Sequence, residues 1–312
     1  MSEATAIRWN LNVPDAFVGD WRRWLGPRAL ERLGADVEAA GFDAVSVTDH
    51  PFPPTEWLAR GGHHALDPFV ALSFFAAGTT RLRLLLNVLV LPYRNPVITA
   101  KSIASLDVLC GGRLIVGAAI GYLREEFRAV GADFESRAAT FERTIRAMKR
   151  TWVSDGGASG VPGHQFLPPP TQHPHPPLWI GGNSPAARRR AVALGDGWMP
   201  FGQTAAMAAV TGTPPLETVE QLATGVRQLD EARRAAGREC PLDVCFGLPK
   251  RSALHQGDAT DTELDDEVGR YAAAGVTWLT VISRAQEPEE LRRELDRWAP
   301  VLERNRIPVE AR

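Results

Sequence analysis

In residues 178–186, an apolar strand is followed by two glycines, a polar pair and a proline that can begin a helix. Glycine lets the backbone approach a ligand closely, Asn183 or Ser184 can cap the helix, and Pro185 suits the first helical position. The N–H groups at such a helix N-terminus favour an anion, above all a phosphate. The alternative is an ordinary strand-to-helix turn that caps itself, because short glycine motifs also match by chance. The predicted anion site consists of Gly181, Gly182, Asn183 and Ser184.

A second group of candidate residues follows two other apolar runs. Asp49 and His50 come directly after Thr48, where one of these runs ends. An imidazole at the end of a strand can hydrogen-bond a ring carbonyl, stabilise developing negative charge or shuttle a proton. Tyr122 lies at the end of another run, and its phenol can donate a proton or pack on a ring. We predict His50, Tyr122 and Asp49 as catalytic residues; alternatively, Asp49 and His50 only shape the turn before Pro51 and Tyr122 only packs at the rim.

Residues suited to line a ligand also lie within the apolar runs. Asn87 interrupts the nearly continuous run 82–91, and a buried amide needs partners, so it either satisfies neighbouring backbone or meets a polar ligand. The next run has small residues where a strand usually prefers bulk, which leaves room for a planar ring. These small residues are Gly117, Ala118 and Gly121.

Length and composition predict an ordinary soluble globular protein. The 312 residues are 44% hydrophobic and 23% charged, with a formal net charge of −2, so neither nucleic acid nor an acidic membrane surface is an expected partner. The three cysteines form no CxxC pair, and there is no apolar run of the ~18 residues that a membrane span needs and no signal peptide. We expect a cytoplasmic location.

Histidine pairs at His63-His64 and at His173 and His175 suggest a metal site at first sight. A histidine pair in a proline-rich loop needs a third ligand, and neither an HExxH motif nor a set of carboxylates with strand spacing supplies one. We therefore predict no metal site.

Short β-branched or aliphatic runs alternate with longer amphipathic stretches, which indicates βα units around a parallel sheet. The predicted strands are 7–13, 44–48, 82–91, 114–120, 178–180, 197–201, 242–248 and 278–283. The predicted helices are 27–40, 67–78, 96–109, 123–152 with a break near Gly131, 185–194, 216–236, 260–274 and 287–302.

Eight such units fit an α/β fold with one (β/α)₈ TIM barrel, for which ~250 residues are typical. The competing fold is a doubly wound open sheet, but the turn after Val13 lacks the glycine fingerprint expected there. We predict a single barrel domain over residues 1–312 with insertions at Ser154–Pro177 and Gln203–Pro215. The second insertion would lie on the C-terminal face, where it can cover a substrate.

The chain resembles the luciferase-like monooxygenase superfamily along most of its length. The blocks that carry the resemblance are residues 39–50, 91–96, 112–127 and 176–182. The similarity is to the branch that uses the deazaflavin coenzyme F420, which includes glucose-6-phosphate dehydrogenases, secondary-alcohol dehydrogenases and methylenetetrahydromethanopterin reductase. The other branch uses reduced FMN and oxygen.

The resemblance implies a barrel with the cofactor ring at the strand C-termini and the phosphate at the loop after strand five. It implies a non-prolyl cis peptide near Asn87-Val88 that supports the ring, so Val88 joins Asn87 among the cofactor-binding residues. His50 matches the histidine of the deazaflavin dehydrogenases, and homodimers are common in the family. Pro54 and Tyr122 stand where the sugar-phosphate dehydrogenases have tryptophan and glutamate, which argues against that substrate and leaves the proton donor open.

The function predicted from these features is hydride transfer between coenzyme F420 and a small organic substrate. The cofactor supplies the chemistry, and the protein positions the ring, stabilises charge and excludes water. Two alternatives remain open, namely an FMN-dependent monooxygenase of the same fold and a flavin-binding barrel without turnover.

Overall fold

Eight short strands alternate with helices along the chain in the order that the sequence predicts. The computed structural model describes residues 7–14, 16–153, 164–249, 252 and 259–305. The strands are β1 (Arg8–Asn12), β2 (Ala44–Val47), β3 (Arg83–Val90), β4 (Leu114–Ala119), β5 (Leu178–Gly181), β6 (Gly197–Met199), β7 (Asp243–Gly247) and β8 (Trp278–Ile282).

Helices connect these strands. They are α1 (Ala16–Gly19), α2 (Trp21–Trp24), α3 (Ala29–Ala40), α4 (Thr55–Ala59), α5 (Pro68–Ala77), α6 (Pro96–Leu109), α7 (Arg124–Ala129), α8 (Arg137–Val153), α9 (Pro185–Leu194), α10 (Ala205–Thr211), α11 (Val219–Ala235), α12 (Asp261–Ala273) and α13 (Pro288–Arg304). Among the described residues, none of these helices is long and apolar enough to cross a lipid bilayer.

The strands form a closed barrel in the order β1-β2-β3-β4-β5-β6-β7-β8. Strand β3 shows why its sequence forms a barrel strand, because Leu84, Leu85, Leu86 and Leu89 are completely buried. A strand covered on both sides buries apolar residues at successive positions and not only at alternate ones. The (β/α)₈ barrel predicted from the sequence is confirmed, and the doubly wound open sheet is excluded.

The sequence pattern misses four short helices, α1, α2, α4 and α10. Each has only four to seven residues, fewer than two turns, so its apolar residues cannot repeat often enough to reveal a helical period. The predicted break near Gly131 is confirmed, because α7 ends at Ala129 and α8 begins at Arg137. Gly131 has a φ of 73°, which is the left-handed conformation typical after a helix end.

The chain divides into two compact groups of residues. One comprises the described residues of Met1–Pro14, Asp36–Val45 and Trp179–Arg312, and the other those of Asp15–Ala35 and Ser46–Leu178. The first packs around tryptophans, with the rings of Trp179 and Trp278 5.4 Å apart in an edge-on contact. The organisation as a single domain over residues 1–312 stays a prediction.

Both predicted insertions are present, and hydrogen bonds hold each of them in place. Residues 154–163 of the first lie outside the described part, but Gln172 in its second half donates to the buried Asp107 of α6 at 2.7 Å. The second insertion contains α10 and closes on Gln203, which is 4% exposed and donates to the carbonyls of Thr213 and Pro214. Each insertion is therefore tied to the rest of the fold by hydrogen bonds where it is described.

Candidate active site

The imidazole of His50 is held by a buried carboxylate. His50 lies just after β2, and its Nδ1 is 3.2 Å from Oε2 of Glu126 in α7. The side chain of Glu126 is fully buried and that of His50 is 12% exposed. A carboxylate can only accept, so Nδ1 carries the proton in this contact and Nε2 is left as the other ring nitrogen. No hydrogen bond to Nε2 occurs within the described part of the chain.

Glu126 also accepts from two other groups around the site. The backbone N–H of Phe52 donates to Oε1 at 3.1 Å, and the phenol of Tyr93 donates to Oε2 at 3.0 Å. Burial, with Glu126 close by, raises the pKa of Tyr93 far above its usual value, so Tyr93 remains a donor. These donors compensate the loss of solvent around a buried carboxylate and fix its orientation toward His50.

Sequence analysis did not single out Glu126, which is one of two adjacent glutamates in the first turn of α7. The structure separates the two neighbours, because Glu125 is exposed and Glu126 is completely buried. The helical period could have indicated that Glu126 is buried. Glu126 is three residues after Leu123 and next to Phe127, both of which are buried, so it lies on the face of α7 that points inward.

Aromatic rings surround His50. The ring of Trp57, from α4, lies 4.6 Å from the His50 ring between centroids, and His63 meets His50 edge-on at 5.0 Å. Tyr122 meets His50 edge-on at 6.4 Å. Sequence analysis did not single out Trp57, because α4, the short helix that brings it next to His50, has too few residues to show a helical period.

Burial and the nearby Glu126 carboxylate raise the pKa of the Tyr122 phenol to about 12. The raised pKa keeps Tyr122 protonated throughout the neutral range, so it can donate a hydrogen bond. It is a weak acid for complete proton transfer near pH 7, because an effective acid has a pKa close to the working pH.

Asp49 has both carboxylate oxygens engaged in structural contacts. Oδ2 accepts the backbone N–H of Val90 at 2.9 Å, and Oδ1 accepts Nη2 of Arg94 at 2.8 Å. The residue is 3% exposed. In this geometry Asp49 connects the end of β2 to the end of β3, which supports its neighbour His50.

The middle of β3 contains an irregularity that exposes two of the predicted cofactor-binding residues. The peptide bond between Asn87 and Val88 is cis, at the location implied by the family resemblance. Both residues are partly exposed although the leucines on either side are buried. Asn87 also donates to Ser46 Oγ at 3.4 Å. An accessible patch thus interrupts the buried middle of the strand.

The small residues of β4 make room for this irregularity. In the register of the two strands, Leu86 pairs with Val116 and Leu89 pairs with Ala118. Two residues of β3, Asn87 and Val88, therefore lie opposite Gly117, which has no side chain. Ala118 is completely buried.

Gly121 has a separate local reason to be glycine. Its φ is 76°, and a Cβ there would lie 2.7 Å from Val90 Cγ1 and 2.8 Å from the Phe127 ring. Packing alone excludes a side chain at this position.

The loop after β5 begins helix α9 as the sequence predicts. Ser184 is the N-cap, with its Oγ accepting from the N–H of Ala187 at 3.1 Å, and Pro185 is the first helical residue. Gly182 has a φ of 116°, which side-chain-bearing residues rarely adopt. Its N–H donates to Met199 at 3.1 Å. Only a glycine allows this close path of the backbone into the helix.

The side chain of Asn183 holds neighbouring loops together. It is 4% exposed, donates to the carbonyls of Phe201 and Pro214, and accepts from the N–H of Phe201 at 3.0 Å. Its contacts fix the insertion that follows β6. The amide is thus occupied, so a ligand in this loop would meet backbone rather than the Asn183 side chain.

Arg188 adds positive charge to the first turn of α9 and was not singled out from the sequence. Its Nη1 donates to the Asn183 carbonyl at 3.0 Å and Nη2 to Gln228 at 3.0 Å. Burial lowers the pKa of Arg188. A cation near a helix N-terminus is electrostatically unfavourable, and a bound anion would offset this cost. The signal in the sequence was the run Arg188-Arg189-Arg190 at the beginning of a helix.

The histidines considered as metal ligands are dispersed. His63 contacts Thr48 Oγ1 at 3.2 Å, and His175 lies against the Trp152 ring at 5.7 Å. In the described ranges, no group of three or more histidine, cysteine or carboxylate side chains is arranged to hold a metal ion.

Comparison with known proteins identifies some relatives that are F420-dependent and another that is FMNH(2)-dependent. The F420-dependent glucose-6-phosphate dehydrogenase 1 of Rhodococcus jostii is 31% identical over 186 residues, 56% of this chain and 53% of that protein. The FMNH(2)-dependent dimethylsulfone monooxygenase of Pseudomonas putida is 32% identical over 136 residues, 41% of this chain and 37% of that protein. Each match thus spans about half or less of the relative.

A solved structure of similar fold is an F420-dependent secondary alcohol dehydrogenase in complex with an F420-acetone adduct. It superimposes with a TM-score of 0.70 over 97% of this chain and 100% of that chain, at 16% identity. At this identity the likeness concerns the fold. A sequence profile described as luciferase-like monooxygenase matches residues 19–300. The chain therefore belongs to the luciferase-like monooxygenase family.

Proposed function

We propose that this protein is an oxidoreductase that binds the deazaflavin coenzyme F420 and transfers a hydride between it and a small organic substrate. The observation that carries the proposal is the pairing of His50 with the fully buried Glu126 at the C-terminal end of a barrel strand. In barrels of this type, that end of the strands is where reacting groups collect. The F420-dependent relatives support the same cofactor.

His50 is the proton-transferring residue in this proposal. Glu126 holds Nδ1, which leaves Nε2 to accept or donate a proton at the substrate oxygen. A carboxylate behind an imidazole fixes the tautomer and stabilises the imidazolium that forms when Nε2 takes a proton. Tyr122 donates a hydrogen bond in the same region, and Asp49 is a positioning residue. The bound coenzyme would supply the hydride-carrying carbon, and the protein the proton.

The exposed patch at Asn87 and Val88 fits a planar ring. This irregularity offers an accessible wall in the buried middle of β3, and Gly117, beside it on β4, has no side chain. The loop from Gly181 to Ser184 would hold the phosphate through backbone N–H groups other than that of Gly182, which donates to Met199, with Arg188 contributing charge.

An FMN-dependent monooxygenase is the second candidate function. The similarity to the FMNH(2)-dependent dimethylsulfone monooxygenase favours it. Both cofactors have a planar ring and a phosphate, so the ring wall and the phosphate loop would serve either. A flavin-binding barrel without turnover fits less well, because a buried carboxylate aimed at an imidazole is costly unless it has a role.

The cofactor assignment is tested by titrating the purified protein with F420 and with FMN while following the fluorescence of each. We expect F420 to bind at least about 10-fold more tightly, equivalent to ~1.4 kcal/mol. Hydride transfer to or from F420 should then proceed without oxygen. Tighter binding of FMN, with oxygen-dependent turnover, would establish the monooxygenase instead.

Gly182→Ala tests the phosphate loop. A side chain at a φ of 116° is strained, and its Cβ would lie 3.3 Å from Ala187 Cβ, so the loop should shift away from its ligand-binding conformation. We expect a stability loss of about 1–3 kcal/mol and at least ~10-fold weaker cofactor binding. Gly212→Ala is the matched control, because Gly212 also has a positive φ of 63° but open space around its Cβ. Equal cofactor affinity in the two folded variants would remove this loop from the site.

A further inference from the structure

The segment between β2 and α5 folds back so that its rings gather around His50. Between ring centroids, Trp57 lies 4.6 Å from His50, and His63 lies 5.0 Å from His50 and 5.3 Å from Trp57. Tyr122, which follows β4, adds a fourth ring 6.4 Å from His50. We call these four residues the aromatic cluster. None of them is completely buried, so the cluster is open to a ligand.

The aromatic cluster is held in a fixed arrangement by its neighbours. The N–H of Gly62 donates to the Trp57 carbonyl at 3.0 Å, and a Cβ at Gly62 would lie 2.3 Å from the Trp57 ring. The backbone of Gly62 thus packs directly on this ring. His63 Nε2 is 3.2 Å from Thr48 Oγ1, at the end of β2. A preformed wall loses little conformational entropy when a ligand binds.

Phe52 places a fifth ring in the same segment. Its N–H donates to Glu126, the carboxylate that also holds His50, while the residue is 71% exposed. Prolines on both sides restrict its backbone. A large apolar ring held in solvent two residues from His50 contributes little to the core, but it can cover the apolar part of a ligand.

The carboxylate behind the aromatic cluster does not favour a charged ligand. Glu126 is completely buried and accepts from His50, from the Phe52 N–H and from the Tyr93 phenol. A cation in the cluster therefore cannot contact its oxygens. An anion would be repelled, because a charge in a low-dielectric surrounding is weakly screened.

The arginines of the adjoining segments have other partners or face solvent. Arg94, after β3, pairs with Asp49 at 2.8 Å, and Arg124, in α7, pairs with Glu135 at 2.6 Å. Arg60, just after α4, is exposed. In the part of the chain that the structure describes, none of the three lies over a ring of the aromatic cluster. Recognition of a phosphate or carboxylate normally uses a guanidinium or ammonium held in the site.

We propose that the substrate is an uncharged aromatic alcohol or carbonyl compound, whose ring lies against the aromatic cluster and Phe52 and whose oxygen faces Nε2 of His50. Aromatic rings attract one another edge-on or offset, beyond the effect of buried area alone. A neutral ring also avoids the desolvation cost that an ion would meet there. The proposal rests on the proposed function for the role of His50, but this preference does not depend on which cofactor is bound.

The test compares four ligands that share a six-membered ring and one exocyclic carbon, namely benzyl alcohol, cyclohexylmethanol, benzoate and benzylammonium. Binding is measured by saturation-transfer NMR titration, without coenzyme and with reduced F420, which cannot take up a hydride. We expect benzyl alcohol to bind at least ~3-fold more tightly than cyclohexylmethanol and at least ~10-fold more tightly than either ion. Equal or tighter binding of the saturated alcohol or of an ion would overturn the proposal.

Two exposed phenylalanines supply matched variants. Phe52→Ala removes the ring beside the aromatic cluster, and Phe74→Ala removes a ring on α5 that is 47% exposed. We expect Phe52→Ala to weaken the binding of benzyl alcohol by about 10-fold and Phe74→Ala to change it by less than ~2-fold. Equal affinities of the two folded variants would show that the ligand does not lie against Phe52, contrary to the proposal.

Turnover distinguishes this proposal from the function on which it rests. With oxidised F420, we expect benzyl alcohol to reduce the coenzyme faster than cyclohexylmethanol does. Preferential binding of benzyl alcohol without any reduction of F420 would remove the proposed hydride transfer and retain the preference for a neutral ring. Reduction that is equally fast with cyclohexylmethanol would remove the aromatic substrate class and retain the hydride transfer.

Discussion

His50→Ala is expected to lower the rate of hydride transfer by roughly 10²–10⁴-fold, which is the contribution of a positioned acid or base. The protein should still fold and bind its cofactor, because the imidazole lies at the edge of the site with its side chain 12% exposed. The measurement is single-turnover kinetics at saturating cofactor, which separates the chemical step from binding.

Two variants interpret this result. His64→Ala removes an exposed histidine from the loop that also contains His63, and it should leave the rate unchanged. Tyr122→Phe removes the rival donor, and we expect a smaller loss than for His50→Ala, because a phenol with a pKa of about 12 is a weak acid near neutral pH. A full rate in His50→Ala together with a large loss in Tyr122→Phe would transfer the role to Tyr122.

Glu126→Ala is expected to lower the free energy of unfolding by about 3–5 kcal/mol, because it leaves His50 Nδ1, the Tyr93 phenol and the Phe52 N–H without their acceptor in a buried site. The measurement is urea unfolding followed by circular dichroism. Glu125→Ala, on the exposed side of the same turn, should change the stability by no more than ~0.5 kcal/mol. Similar losses in the two variants would show that Glu126 is not the anchor of the site.

Glu126→Gln distinguishes a catalytic contribution from a merely structural one. The amide keeps the shape of the side chain but can present an N–H where the carboxylate accepts, which favours the wrong tautomer of His50. We expect this variant to retain most of the stability and to lose at least ~10-fold in the hydride-transfer rate. A stable Glu126→Gln protein with unchanged kinetics would restrict Glu126 to supporting the fold.

The residues around His50 show which contacts a sequence pattern cannot predict. The end of β2 is evident from the apolar run, so the location of His50 at a strand end was predictable. Its partner Glu126 is 76 residues away along the chain, and no local pattern connects the two. Only the tertiary fold brings them together, because the C-terminal ends of β2 and β4 lie on either side of β3. Trp57 shows the same limit, because the single-turn helix α4 that carries it has no detectable period.

In the phosphate loop, the helix start was predictable from the sequence and the partners of the Asn183 side chain were not. Ser184 as N-cap and Pro185 as first helical residue follow from local chemistry, because a cap needs only neighbouring N–H groups. The use of the Asn183 side chain was not predictable, since its partners Phe201 and Pro214 belong to the next βα unit. Local sequence therefore specified the helix start but not which groups around it remain open to a ligand.

The sequence by itself determined the eight strands, the longer helices and the barrel, because strand and helix periods are local properties that repeat over enough residues to be read. It also determined that His50 and Gly182 lie at the C-terminal ends of strands. Tertiary structure alone decided that Glu126 is buried behind His50, that Asp49 accepts from Arg94 and Val90, and that some apolar residues of α5 and α6, such as Val70 and Ile98, remain exposed. Burial and pairing depend on which segments meet in space, and a one-dimensional pattern contains no record of that.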